Sequence, residues 1–242
     1  PTFSEYADAC RLHGHRVEGI FSLEKLTDDE GIFWLCNPNN PTGQTWDAVT
    51  LRRLIAAYPR KLFVIDQSYA LFTEKEVMSV AETVKLPNVL LLHSMTKCYA
   101  VPGLRLGAVT GSRELLSRIR ACRMPWSVNA LAVEAGHYLL QHPEEYRMDI
   151  QALLAERKRV TDALEALGGV EVLPTDTHYF LARLQQGTAA QLKEFLATRH
   201  GLLIRDASNF EGLDARYFRI AIQTEEENNL LIEGIHEWIQ NS

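Results

Sequence analysis

The sequence predicts an α/β fold: a three-layer domain built on a mostly parallel sheet, followed by a smaller α+β unit. Three observations carry this. Short apolar runs, such as Leu62–Ile65 and Val89–Leu92, are continuous rather than alternating, which marks strands buried on both faces. Helical periodicity fills the gaps between them, as parallel pairing requires. The polar clusters fall just past the carboxyl ends of these runs, where open α/β sheets place their ligands.

In chain order, Ser4 caps a helix through Leu12, and Gly14 ends it. Val17–Phe21 reads as a short strand and residues 22–30 as a loop or capped turn. Ile32–Cys36 is an apolar strand that runs into Asn37-Pro38-Asn39-Asn40-Pro41-Thr42-Gly43. Prolines, asparagines and a glycine together can continue neither strand nor helix, so this is a rigid turn. A helix follows over 47–58, apolar at Val49, Leu51, Leu54 and Ile55. Leu62–Ile65 is a buried strand ending at Asp66, and Val89–Leu92 is another, ending at Ser94-Met95-Thr96-Lys97. Gly107–Thr110 is a fourth strand, stopped by Gly111-Ser112 and followed by a capped helix through Arg123.

Past Pro125 the pattern changes. Residues 128–141 and 143–167 read as helices, the second long and charged, and Gly168-Gly169 breaks it. Strands are expected at 170–173, 179–184, 202–204 and 217–222, with helices at 189–199 and 225–239. The expected division is a major domain over 1–145 and a carboxy-terminal domain over 146–242, joined by the long helix.

A chain of 242 residues that is 46% hydrophobic and 23% charged can bury a real core. Its net charge of -6 argues against nucleic acid and anionic membrane as partners. No apolar run is long enough to span a bilayer. Cys10, Cys36, Cys98 and Cys122 are scattered, without the spacing of a zinc site or a disulfide frame, so they read as reduced thiols of a cytoplasmic protein with no metal. The chain opens at Pro1 in what reads as a helix already under way, and a preceding segment is expected.

Lys97 stands at the mouth of a buried strand, with Ser94 and Thr96 before it and Pro102-Gly103-Leu104-Arg105 after it. Lysine forms Schiff bases with carbonyl cofactors. Hydroxyls and a guanidinium nearby suit a phosphate. Asp66 at a strand end needs a cationic partner, which a protonated pyridine nitrogen supplies. Tyr69 and Asn40 offer donors for a ring oxygen. Each residue alone has a plainer reading: a surface lysine, a capping aspartate, a packed tyrosine, a turn asparagine.

Taken together and in this order, the residues resemble the fold type I pyridoxal-phosphate enzymes, the aspartate-aminotransferase-like superfamily. The resemblance rests on Asn-Pro-Thr-Gly at 40–43, Asp-Gln-Ser-Tyr at 66–69, Ser-Met-Thr-Lys at 94–97 with its Pro-Gly-Leu-Arg-Leu-Gly tail, and Arg219 in Tyr-Phe-Arg-Ile-Ala-Ile. It implies a fold type I major domain, lacking here its amino-terminal part, and a smaller α+β domain. It implies that Lys97 bonds pyridoxal phosphate and later carries the proton. By the same likeness Asp66 partners the pyridinium, Tyr69 and Asn40 hold the ring oxygen, and Ser94 and Arg105 hold the phosphate. Arg219 would clamp a substrate carboxylate. The family also places a phosphate-binding loop before these residues, and it is expected in the preceding segment. A homodimer is expected on the same ground.

Arg205 and Arg219 flank the run Ser208-Asn209-Phe210-Glu211-Gly212-Leu213-Asp214-Ala215-Arg216-Tyr217-Phe218. Two guanidinium groups suit a substrate with two anions, although Arg205 could equally form a surface ion pair with Asp206 or another neighbour. The stretch is similar to two sister groups, threonine-phosphate decarboxylase of cobalamin biosynthesis and histidinol-phosphate aminotransferase, and leans to the first. That likeness implies decarboxylation of L-threonine O-3-phosphate to (R)-1-aminopropan-2-yl phosphate, a small phosphorylated amino-acid substrate. A ligand-sensing domain of a transcription regulator is a third reading. A nicotinamide dehydrogenase is excluded, since no G-x-G-x-x-G follows a strand.

Overall fold

The apolar runs become adjacent strands in a computed structural model that describes residues 1–241. The chain divides into two compact units. The first, here the sheet unit, takes Ile20–Pro38 and Thr45–Asp149; the second takes Pro1–Gly19, Asn39–Gln44 and the chain from Ile150 onward. Helix α1 (Glu5–Leu12) belongs to the second unit.

In the sheet unit, β1 (Gly31–Cys36), β2 (Lys61–Asp66), β3 (Val89–Ser94) and β4 (Gly107–Gly111) lie in that order. β1, β2 and β3 are parallel and β4 is antiparallel to β3, giving the mostly parallel sheet. Phe63 and Ile65 pair with Val89 and Leu91, so all four present one face. That face packs on Leu51, Leu54 and Ile55 of α2 (Ala48–Ala57). Burial of each such side chain contributes about 1.5–3 kcal/mol. The shorter helices are α3 (Val80–Thr83), α4 (Met95–Cys98), α5 (Arg113–Ala121) and α6 (Ala130–Gln141). Side chains of Asp47, Ser79, Ser94, Ser112 and Asn129 cap α2 to α6 in turn, each accepting an N–H of the first turn. Because β1 to β3 are parallel, Cys36, Asp66 and Ser94 end on one edge of the sheet.

The second unit adds α7 (Ile150–Leu167), β5 (Val170–Val172), β6 (Tyr179–Leu184), α8 (Ala189–His200), β7 (Arg205–Asp206), β8 (Tyr217–Ala221) and α9 (Glu225–Gln240). Its sheet is antiparallel throughout, in the order β5-β6-β8-β7. Phe180, Ala182, Leu184, Phe218 and Ile220 bury one face against Val160, Leu164, Leu192, Leu196 and Ile235 of α7, α8 and α9. On the other face Leu181 packs with Ala207 and Phe210 of the loop after β7. Alternation along β6 thus separates two cores.

Several expectations are corrected. Val17–Phe21 forms no strand; the run is short and Gly19 interrupts it. Leu202–Ile204 is not a strand either. Gly201 is left-handed at φ 67° and the Leu202 N–H closes onto Leu196 O, so α8's end consumes the start of that run and pairing begins at Arg205. The helix expected over 143–167 splits: Pro143–Tyr146 is a separate 3-10 turn, Arg147 is extended, and α7 starts at Ile150. Helix α4 was not foreseen, because four residues cannot show a period. The expected division at 145/146 is contiguous, whereas the second unit also gathers 1–19 and 39–44. Hydrogen bonds explain this: Tyr179 OH donates to Asn39 O at 2.9 Å and the Asp176 N–H to Gly43 O at 3.0 Å.

Candidate active site

The sheet unit brings five of the predicted residues to the carboxyl edge of β2 and β3 and the loops beyond. Asp66 closes β2, paired with Leu92 of β3. Its Oδ1 accepts from the Ser68 N–H at 2.8 Å and from Ser68 Oγ at 2.6 Å, so the plainer reading of a capping, strand-end aspartate also holds. Tyr69 is 9% exposed. Ser94 ends β3 and its Oγ accepts the Thr96 N–H at 3.2 Å, starting α4. That leaves the hydroxyl proton to donate elsewhere. Lys97 lies on α4 and is exposed; its ammonium makes no hydrogen bond or ion pair among the described residues.

The segment after Lys97 is held in an unusual shape. Ala100 and Arg105 are both left-handed, at φ 51° and 53°. Residues with a Cβ pay for that conformation, and such sites cluster where function demands them. Arg105 Nη1 donates to Pro102 O at 3.0 Å, and the Met95 N–H to Leu106 O at 3.1 Å, closing the loop on itself. The Arg105 side chain is exposed and without a carboxylate partner among the described residues.

The second unit holds the other three. Arg205 and Arg219 are direct Cα partners across β7 and β8, and Leu181 of β6 completes the row. Arg219 Nη1 donates to the Oδ1 of buried Asn40. The Arg219 guanidinium stands 5.3 Å over the ring of Tyr179, and its Nε is buried without a hydrogen-bond acceptor. Arg205 Nη2 donates to Asn209 Oδ1 at 3.0 Å, and its guanidinium lies 5.7 Å from the Phe210 ring centroid. It does not pair with Asp206, whose Oδ1 accepts the Ser208 N–H. Asn40 therefore spends its amide oxygen on Arg219 and keeps its NH2 as a donor.

Sequence reasoning passed over five residues here. Ser68 sat inside the quoted Asp-Gln-Ser-Tyr run but was assigned nothing. Tyr179 reads only as a strand residue, and Asn209 and Phe210 only as part of a turn-rich loop; the distant pairing of Tyr179 with Arg219, and the loop fold that turns Asn209 and Phe210 back onto Arg205, have no signature in sequence. His93, on β3, was also missed. Its Nε2 is buried without a partner, and burial holds its pKa below the ordinary histidine value, with the Asp66 carboxylate opposing.

A match to the aminotransferase class I and II family spans residues 1–235. The chain belongs to that family. Its members work with pyridoxal phosphate, and the donor set at the sheet edge fits this cofactor: a primary amine without a hydrogen bond or ion pair among the described residues, a strand-end carboxylate, a buried phenol, a hydroxyl and a guanidinium without a carboxylate partner among them. Among the family's curated members, threonine-phosphate decarboxylase of Salmonella typhimurium is 35% identical over 217 residues, covering 88% of this chain and 59% of that one. The crystal structure of L-threonine-O-3-phosphate decarboxylase from Porphyromonas gingivalis aligns with TM-score 0.96 and 38% identity over 99% of this chain and 75% of that one. Histidinol-phosphate aminotransferase from Clostridium acetobutylicum aligns with TM-score 0.87 and 26% identity over 100% of this chain and 77% of that one. This family chain thus spans about three-fifths to three-quarters of the relatives it matches.

Proposed function

We propose that the protein decarboxylates L-threonine O-3-phosphate to (R)-1-aminopropan-2-yl phosphate, a step in cobalamin biosynthesis. The observation that carries this is the Arg205–Arg219 pair: two arginines that are direct cross-strand partners, neither neutralised by a carboxylate among the described residues. A substrate with both a carboxylate and a phosphate satisfies both. The likeness to threonine-phosphate decarboxylases at 35% and 38% identity supports the same substrate.

Bound pyridoxal phosphate supplies an electron sink for the bond that breaks. The chain's residues do the rest. Lys97 Nζ holds the cofactor and returns a proton to the substrate Cα once carbon dioxide has left. By the family resemblance, Asp66 would accept from the ring nitrogen, Tyr69 and Asn40 would donate to the ring oxygen, and Ser94 and Arg105 would take the cofactor phosphate. Arg219 grips the carboxylate and Arg205 the substrate phosphate. Two anchored anions would restrict rotation of the substrate about Cα, and so would select which bond breaks.

Histidinol-phosphate aminotransferase is the second reading, supported by the likeness at 26% identity. There both arginines would share one phosphate, and Lys97 would take the Cα proton. The ligand-sensor reading is third. We infer a homodimer as well, supported by exposed apolar side chains such as Trp126, 97% exposed, and Leu131, 77%. The four free thiols suit a reducing cytoplasm.

The test mixes the full-length protein with pyridoxal phosphate and threonine phosphate, without a keto acid, and follows carbon dioxide. Release that Lys97→Ala abolishes is expected. Amino transfer from histidinol phosphate to 2-oxoglutarate, without release, would select the second reading. Neither activity with the cofactor still bound would select the third.

A further inference from the structure

Arg205 and Arg219 are each held by an amide oxygen and an aromatic face, from Asn209 with Phe210 and from Asn40 with Tyr179. Asn209 is the less obvious of these four. It sits in the 207–213 loop, which is itself rigid: Ala207 and Phe210 are buried against Leu181, and the Ala207 N–H bonds Tyr217 O at 2.9 Å. Phe210 is 5% exposed, so the ring under the Arg205 guanidinium cannot swing away. Asn209 Oδ1 then fixes the rotation of that guanidinium at 3.0 Å.

The chemistry of the acceptor matters as much as its position. An aspartate at the same place would hold Arg205 at least as firmly, but it would also cancel its charge. An amide oxygen orients the fork and leaves the charge for a ligand. We propose that Asn209 is the positioning residue that sets the protein's affinity for a phosphorylated substrate, through Arg205. The proposal rests on the reading of Arg205 as the substrate-phosphate ligand.

The experiment compares Asn209→Asp and Asn209→Ala with the parent, as full-length holoenzymes whose own cofactor fills the cofactor phosphate site. Asn209→Asp is nearly isosteric and lies on the surface. Binding of inorganic phosphate is measured by calorimetry, and KM and kcat for threonine phosphate separately. Asn209→Ala is expected to weaken phosphate about threefold and Asn209→Asp about tenfold or more, with the change in turnover falling on KM rather than kcat. A purely structural role predicts the reverse order, since aspartate keeps the contact and alanine loses it. Parent-like phosphate binding in Asn209→Asp overturns the proposal. If the parent binds phosphate, and Asn209→Asp weakens it, but threonine phosphate is not turned over, the decarboxylase reading fails while Asn209 keeps its role.

Discussion

Arg205 and Arg219 face one another as direct cross-strand partners on β7 and β8. Like charges placed so are destabilising. No carboxylate among the described residues offsets this, since the acceptors found are the amides of Asn209 and Asn40. A pair that weakens the sheet is understandable only if a ligand uses it. Arg205→Gln is therefore expected to leave the thermal midpoint unchanged or slightly raised, while KM for threonine phosphate rises about tenfold or more. A marked fall in the midpoint would mean that Arg205 is there for stability.

Lys97 is exposed and unpaired among the described residues, so replacing it removes no side-chain hydrogen bond or ion pair among them. Lys97→Ala is expected to unfold like the parent and yet lose activity by about 10³-fold or more, the scale of losing both the covalent anchor and the proton carrier. Borohydride reduction followed by mass spectrometry separates this from a general defect. The parent should carry the cofactor on the peptide containing Lys97, and the variant should carry none. Cofactor trapped on another lysine would show the assignment to be wrong.

Much of this was legible in the sequence because it depends on neighbours in the chain. Continuous apolar runs gave β1 to β3, and caps such as Asp47 and Ser112 sit where their helices start. The positions of Asp66 and Ser94 at strand ends, with Lys97 just beyond, were legible for the same reason. What escaped was set by distance. Tyr179 under Arg219 and Phe210 under Arg205 depend on how β6, β8 and the 207–213 loop stack, which no local pattern encodes. The strand missed at Arg205 has the same origin. Leu202–Ile204 is the more β-prone run, but the end of α8 takes Leu202 first.

His93 gives the protein a pH dependence near neutrality. Burial holds the folded-state pKa below its ordinary 6.5, with Asp66 opposing. The unfolded chain then takes up the proton at a higher pH than the folded one. Stability is full above that ordinary value and falls as pH drops through it toward the lower folded value. His93→Gln should flatten this slope. Urea midpoints at about pH 7.5 and about pH 5.5 test it, the parent losing more than the variant between them. Equal losses would show that the imidazole is protonated as easily folded as unfolded.

Gly43 is where the turn carrying Asn40 is most tightly enclosed. Its φ is +72°, and a Cβ there would stand 1.9 Å from Thr175 Oγ1, 2.7 Å from Thr177 Oγ1 and 2.9 Å from Tyr179 O. Neither threonine can retreat cheaply, because both hydroxyls donate to Tyr179 O, at 2.6 and 3.1 Å. Left-handed strain and overpacking together put the cost of Gly43→Ala at about 2–4 kcal/mol. Because the same turn sets Asn40 against Arg219, substrate affinity should fall as well, even in the fraction that stays folded. Urea unfolding measures the first effect, and KM well below the transition the second. A loss under about 1 kcal/mol with normal KM would mean that the turn can open without disturbing Asn40.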